Sequence, residues 1–127
     1  MIILASDSAS RKAMLTAAGV AFEAVPARID EAGVTAEMQG RAVRDVADRL
    51  AELKAVKVSL RHPEQLVLGS DSMLEVERGR WLDKPGSLDG LRAQLRELRG
   101  RSHRLVSAAV VARDGAALWR HVEAATL

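Results

Sequence analysis

The chain has 127 residues, 48% of them apolar and 2% aromatic, no Cys, and a formal net charge of +2. That length suits one domain burying roughly two-thirds of the unfolded chain's surface. It is too apolar for disorder, has no Cys for a disulfide framework or thiolate metal site, and has no run near the roughly 18 apolar residues of a membrane span. The charge excess is small, Arg is spread among acids, and no basic stripe carries interleaved aromatics, so nucleic-acid binding is not expected. No basic segment precedes an apolar stretch at the N-terminus, so no signal peptide is read and the expected location is cytoplasmic, away from membranes.

Residues 2–5 read as a short buried strand. Residues 11–18 read as a helix with Met14, Leu15 and Ala18 on one face and Gly19 as its stop. Residues 20–25 form a second strand, broken by Pro26, and 26–39, with Pro, Gly and acids, read as a loop. A long helix over 40–60 carries the stripe Val43, Val46, Ala47, Leu50, Leu53 and ends at His62-Pro63. Leu66-Val67-Leu68 reads as a strand buried on both faces; after a small-residue turn, 73–76 extends again. Residues 77–80 look like a turn into Trp81-Leu82, and Lys84-Pro85-Gly86 breaks the chain. Leu88, Leu91, Leu95 and Leu98 mark an amphipathic helix closed by Gly100. Residues 105–112 and 116–122 are strands around Asp114-Gly115, which suits a type I′ hairpin. Strands alternating with helices predict an α/β domain, and the terminal hairpin makes its sheet mixed.

Residues 4–11 read LASDSASR. A strand, a turn and a helix start together present free backbone N–H groups, which suit phosphate. Ser6, Ser8 and Ser10 add hydroxyls and Arg11 a fork matching phosphate oxygens. Arg11 and Lys12 stand where the helix dipole disfavours cations, which points to an anionic ligand. The plainer alternative makes Ser8 or Ser10 an N-cap and Arg11 a solvated charge. Lys54 and Lys57 lie at the edge of the long helix's stripe, where a lysine either snorkels to water or meets a phosphate in a cleft. In Leu68-Gly69-Ser70-Asp71-Ser72 a buried strand ends in a turn. Gly69 admits a ligand or another backbone, and Asp71 suits a divalent cation or a general base, or simply caps its own turn. Lys84, before Pro85, is a third cation; Glu31, beside Asp30, is a second acid in a loop. His103 reads as a packing or hydrogen-bonding residue at a strand start, and three isolated His give no zinc spacing.

Taken in order, these pieces resemble the Maf family of nucleoside triphosphate pyrophosphatases. LASDSASR is similar to its Leu-Ala-Ser-x-Ser-Pro-x-Arg opening, with Ala9 for Pro. FEAVPARIDE matches its Phe-to-Asp-Glu segment, LAELKA its helix lysine at Lys54, LGSDS its Gly-x-Asp turn at Asp71, LDKP its Lys-Pro at Lys84, and GRSHRLVSAAVV its Gly-x-x-His strand. The resemblance implies a mixed twisted sheet flanked by helices around a central nucleotide cleft, and an often dimeric protein. It implies hydrolysis of NTP to NMP and pyrophosphate, including non-canonical or modified nucleotides, in a house-cleaning role. On that reading Asp71, Lys54 and Lys84 are catalytic, Ser6, Ser8 and Arg11 bind substrate, and Asp71 with Glu31 holds Mg²⁺ or Mn²⁺. Ser10 and Ser72 stand where the family reads the base, with Ser replacing the Arg or large aromatic and the Thr or Gln usual there. The family's base preferences therefore do not carry over. Family members are about half as long again, so residues 1–127 are expected to be one domain lacking the C-terminal third. The alternative from another class is a non-catalytic nucleotide-binding module linked to cell-division arrest.

Overall fold

The structure, a computed structural model, describes residues 1–77, 80–82, 87–100 and 102–126. In chain order it has β1 (Ile2–Leu4), α1 (Ala9–Ala17), β2 (Phe22–Ala24), α2 (Glu31–Glu37) and α3 (Val43–Ser59). Then come β3 (Val67–Glu77), β4 (Arg80–Leu82), α4 (Leu88–Leu98), β5 (Arg104–Arg113) and β6 (Ala116–Thr126). The strands form one mixed sheet in the order β2-β1-β3-β5-β6, with β4 also on β3. β1 runs parallel to β2 and β3, while β3–β4, β3–β5 and β5–β6 are antiparallel. The expected α/β class with a mixed sheet is what the chain adopts.

One helix does most of the covering. α3 lays Val43, Val46, Ala47, Leu50, Ala51 and Ala55 against Met73 of β3 and Val106, Ala108, Val110 and Ala112 of β5. These spacings repeat every three to four residues along α3 and every second residue along β5, as helix and strand geometry require. Val58 joins Ile3, Ala5 and Val67 in a second cluster over β1. α3 approaches β3 closest at Gly69. A Cβ there would lie 2.3 Å from the Ala51 carbonyl oxygen and 2.7 Å from the Ala55 nitrogen. Gly69 therefore admits another backbone, that of α3.

Several elements differ from the sequence-based expectation. Residues 26–39 are not all loop: Asp30 caps α2, its Oδ1 accepting the Gly33 N–H at 3.1 Å. Pro26 lies before that helix, Gly33 sits in its first turn, and Ile29, Val34 and Met38 pack onto the core. The stretch around Asp71 is no turn. β3 is a single strand of 11 residues, because β5 pairs with it continuously from Val67↔Ala112 to Glu75↔Arg104. Leu66-Val67-Leu68 alternates exposed, buried and half-buried, so it is not covered on both faces. α1 begins at Ala9 and buries no residue fully. α4 forms as expected, yet Leu88, Leu91 and Leu95 are exposed. The β5–β6 turn is as expected, with Asp114 and Gly115 both at positive φ (50° and 82°). The Gly115 N–H donates to the buried Ser59 hydroxyl at 2.9 Å, tying the turn to the end of α3.

Candidate functional site

The register leaves a notch in the sheet. On one edge of β3, β1 pairs at Val67 and Leu68, and β4 at Leu74, Glu75 and Glu77. Between them, residues 69–73 face neither strand. Asp71 is at the middle of this gap, beside the carboxyl end of β1. Open α/β sheets place ligands at such ends.

The chain leaves β1 through Ala5, Ser6 and Asp7 and enters α1. Ser8 is the N-cap, its hydroxyl accepting the Arg11 N–H at 3.4 Å. The Ser8 N–H donates to the buried Ser6 hydroxyl at 3.0 Å, and the Ser8 and Ser10 hydroxyls bond each other at 3.1 Å. No acid stands in the first turn of α1. The two cations there behave differently. Lys12 pairs with Asp7 at 3.4 Å on the surface. Arg11 has no ion pair among the described residues and lines a cavity of about 320 Å³ with Ser6, Asp7, Ser8, Glu31 and Lys54. The N-cap alternative for Ser8 and the anion-site reading of Arg11 thus both describe this turn, while Lys12 belongs to neither.

Lys54 does not snorkel to water. It is buried, and its ammonium donates to Asp71 Oδ1 at 3.0 Å and lies 2.8 Å from Glu31 Oε1. Three elements meet here: α3 supplies Lys54, β3 Asp71 and the first residue of α2 Glu31. Asp71 is buried too, whereas Glu31 is open to solvent. Burial holds the Asp71 carboxyl above the ordinary aspartate range; Lys54 opposes that shift, and Arg11 does so more weakly. Glu31 adds to it as a neighbouring negative charge. Lys57, one turn along α3, donates to the Arg28 carbonyl and so secures the segment leading to α2.

Glu31 and Asp71 each direct one carboxylate oxygen at the Lys54 ammonium, and each has a second oxygen not engaged by it. Among the described residues no third His, Cys, Asp or Glu completes a protein-only cage. That set suits a small hard cation of the magnesium type, which takes one or two carboxylates and completes its shell with phosphate oxygens and water.

Beyond Glu31 and Asp71 lies a second cavity of about 380 Å³, lined also by Thr35, Leu50, Ser72, Met73, Trp81 and Leu82. Sequence reading passed over Trp81. The one signal for it was an aromatic in a chain with two Trp, one Phe and no Tyr. Ser72 borders this cavity, but its hydroxyl bonds that of Ser107 at 3.1 Å. Ser10 lines neither cavity. Lys84 lies outside the described residues. His103 is half-buried just before β5. Among the described residues no helix is long and apolar enough to cross a membrane.

The family profile described as Maf-like protein matches residues 1–127. A nucleoside triphosphate pyrophosphatase of Caulobacter vibrioides is 53% identical over 128 residues, covering 99% of this chain and 63% of the relative. One from Sphingopyxis alaskensis is 48% identical, covering 99% and 65%. A 7-methyl-GTP pyrophosphatase of Mesorhizobium japonicum is 51% identical, covering 95% and 61%. The chain thus spans just under two-thirds of the length of these relatives. Among solved structures, a nucleoside-triphosphatase, or dITP/XTP pyrophosphatase, of Mycobacterium abscessus superposes with a TM-score of 0.55 at 20% identity, covering 98% of this chain and 71% of that one. The Staphylococcus aureus Ham1 protein gives 0.53 at 16%, covering 99% and 69%. At these identities the likeness is one of fold.

Proposed function

This chain belongs to the Maf family, and from that premise we propose that it hydrolyses nucleoside triphosphates, modified ones included, to the monophosphate and pyrophosphate. The observation that carries the reading is the buried Lys54 ammonium held between Asp71 and Glu31, at the edge of a cavity whose far wall is the Ser6–Ser8 turn and Arg11. The names of the curated relatives support the same chemistry.

Polyphosphate occupies the first cavity. Ser6 and Ser8 donate hydroxyl hydrogens to it, and Arg11 and Lys54 neutralise it, with Lys84 proposed as a third cation. Asp71 takes a proton from a water as that water's oxygen attacks the α-phosphorus. The bond from the α-phosphorus to the bridging oxygen breaks, and pyrophosphate leaves with the electron pair. A base buried beside a cation, with its proton affinity raised, is suited to this step near neutral pH. Glu31 and Asp71 would hold Mg²⁺ or Mn²⁺, which would supply further charge neutralisation on the phosphates. The direct test is pyrophosphate release from a panel of nucleoside triphosphates with Mg²⁺. Release from none of them, with binding retained, would favour the non-catalytic nucleotide-binding module.

Two expectations follow from the cations and the base. Arg11→Ala should weaken NTP binding more than NMP binding, because the additional charge lies on the β and γ phosphates; calorimetric titration with both ligands reads the difference. Equal losses would place Arg11 away from those phosphates. In the metal-free protein, burial makes Asp71 hold its proton more tightly than an ordinary aspartate. The folded chain then binds this proton better than the unfolded one, so stability without divalent cation should fall as pH rises from the ordinary aspartate value through the raised one. Urea denaturation across that range checks it; stability that stays flat there would place Asp71 at the ordinary carboxylate position.

A further inference from the structure

We propose that Trp81 forms the wall on which the nucleobase stacks, in the second cavity, when the phosphates fill the first. The inference rests on the proposed hydrolysis and adds the subsite that holds the rest of the substrate.

Strand geometry puts Trp81 on the correct face. It pairs directly with Glu75 across β3 and β4. Glu75, Met73 and Asp71 are separated by two residues each, so their side chains share one face of β3, the face covered by α3. A residue directly opposite Glu75 projects to that same side. Trp81 therefore stands on the side of the sheet where Asp71 meets Lys54, at the far end of the notch from the Ser6–Ser8 turn. It packs partly against the α3 core, which fixes its position while leaving part of the ring uncovered.

The surroundings suit a flat heterocycle. Leu50, Met73 and Leu82 supply apolar walls beside Trp81, and the two cavities meet at Glu31. Among the described lining residues, the polar side chains besides Glu31, Asp71 and the Trp81 indole are Thr35, whose hydroxyl donates to the Ala32 carbonyl, and Ser72. Ser72 is bonded to Ser107, and Ser10 lines neither cavity. Stacking on an aromatic ring is tolerant, because every base has a π-face. Strong discrimination needs buried polar groups that the wrong ligand leaves unpaired. Trp81 thus gives affinity for nucleotides in general. Selectivity among purine, pyrimidine and modified nucleoside triphosphates should stay within roughly tenfold.

The experiment uses Trp119→Phe, which leaves Trp81 as the sole tryptophan. Trp119 is exposed on β6, outside both cavities. Titration with ATP, GTP, CTP and UTP in Mg²⁺ should quench the Trp81 fluorescence saturably. Inorganic tripolyphosphate, which has no base, should compete with them without matching that quench. Trp81→Ala should raise the KM for every NTP about tenfold, leave tripolyphosphate affinity unchanged, and spare kcat; Trp81→Phe should restore most of the loss. Turnover at normal KM in Trp81→Ala, absence of quenching by bound NTP, equal quenching by tripolyphosphate, or preference for one NTP by a thousandfold would each overturn the assignment while hydrolysis stands. Failure of the Trp119→Phe protein and the unaltered chain to bind any NTP overturns both readings.

Discussion

Asp71→Asn is expected to abolish pyrophosphate release, by at least about 10²-fold, in a protein that remains folded. The amide has the shape of the carboxyl but cannot take a proton from water. The fold should tolerate it for two reasons. Burial already disfavours the charged form of Asp71, so a neutral isostere relieves a desolvation cost. Lys54 is also not stranded, because Glu31 remains 2.8 Å from its ammonium. Removing one partner of an isolated buried pair costs about 3–5 kcal/mol; here the second, solvent-facing carboxylate should keep the loss well below that. Thermal unfolding and NTP binding check that the variant is intact, and a coupled pyrophosphate assay reads turnover. Near-normal turnover would remove Asp71 from the mechanism.

The candidate groups were legible in sequence because each carries chemistry its local pattern does not need. LASDSASR puts an arginine into a helix start that lacks acids, and Lys54 sits beside an apolar stripe. Their meeting was not legible. Lys54 and Asp71 are 17 residues apart, and they meet where α3 crosses β3 close to Gly69. Local composition misled at two places. Pro26 and Gly33 suggested loop, while the Asp30 cap and the packing of Ile29, Val34 and Met38 make α2 and so present Glu31. Gly69 to Ser72 suggested a turn, while pairing to β5 holds the stretch straight and the interruption falls on the opposite edge. Trp81 gave little signal, because its place beside the second cavity depends on strand register, which short strands do not disclose. α4 shows the converse: its period was readable, but what its leucines face was not.

Gly69→Ala is the second large effect, and it acts through geometry. The added methyl would meet the Ala51 carbonyl oxygen at 2.3 Å, the Ala55 nitrogen at 2.7 Å and the Ala55 Cβ at 2.9 Å. The two nearest atoms are backbone, so no rotamer change relieves them; α3 must retreat from β3 by on the order of 1 Å to restore ordinary contact. Overpacking of this kind costs about 1–3 kcal/mol. Lys54 lies between Ala51 and Ala55 on the same turns of α3, so the retreat carries its ammonium away from Asp71, now 3.0 Å away. A misplacement of about 1 Å can cost on the order of 10²-fold in rate, and turnover per folded molecule should fall on that scale. Chemical denaturation gives the folded fraction, which separates this loss from simple unfolding. A second readout is specific to the pair. With Lys54 withdrawn, less opposes the effect of burial on Asp71, so in the metal-free variant its carboxyl should titrate at still higher pH. Carboxyl-carbon NMR of the folded variant follows that titration without depending on turnover. A Gly69→Ala protein with unaltered stability, rate and Asp71 titration would show that the close approach of α3 to β3 is not what sets the Lys54–Asp71 contact.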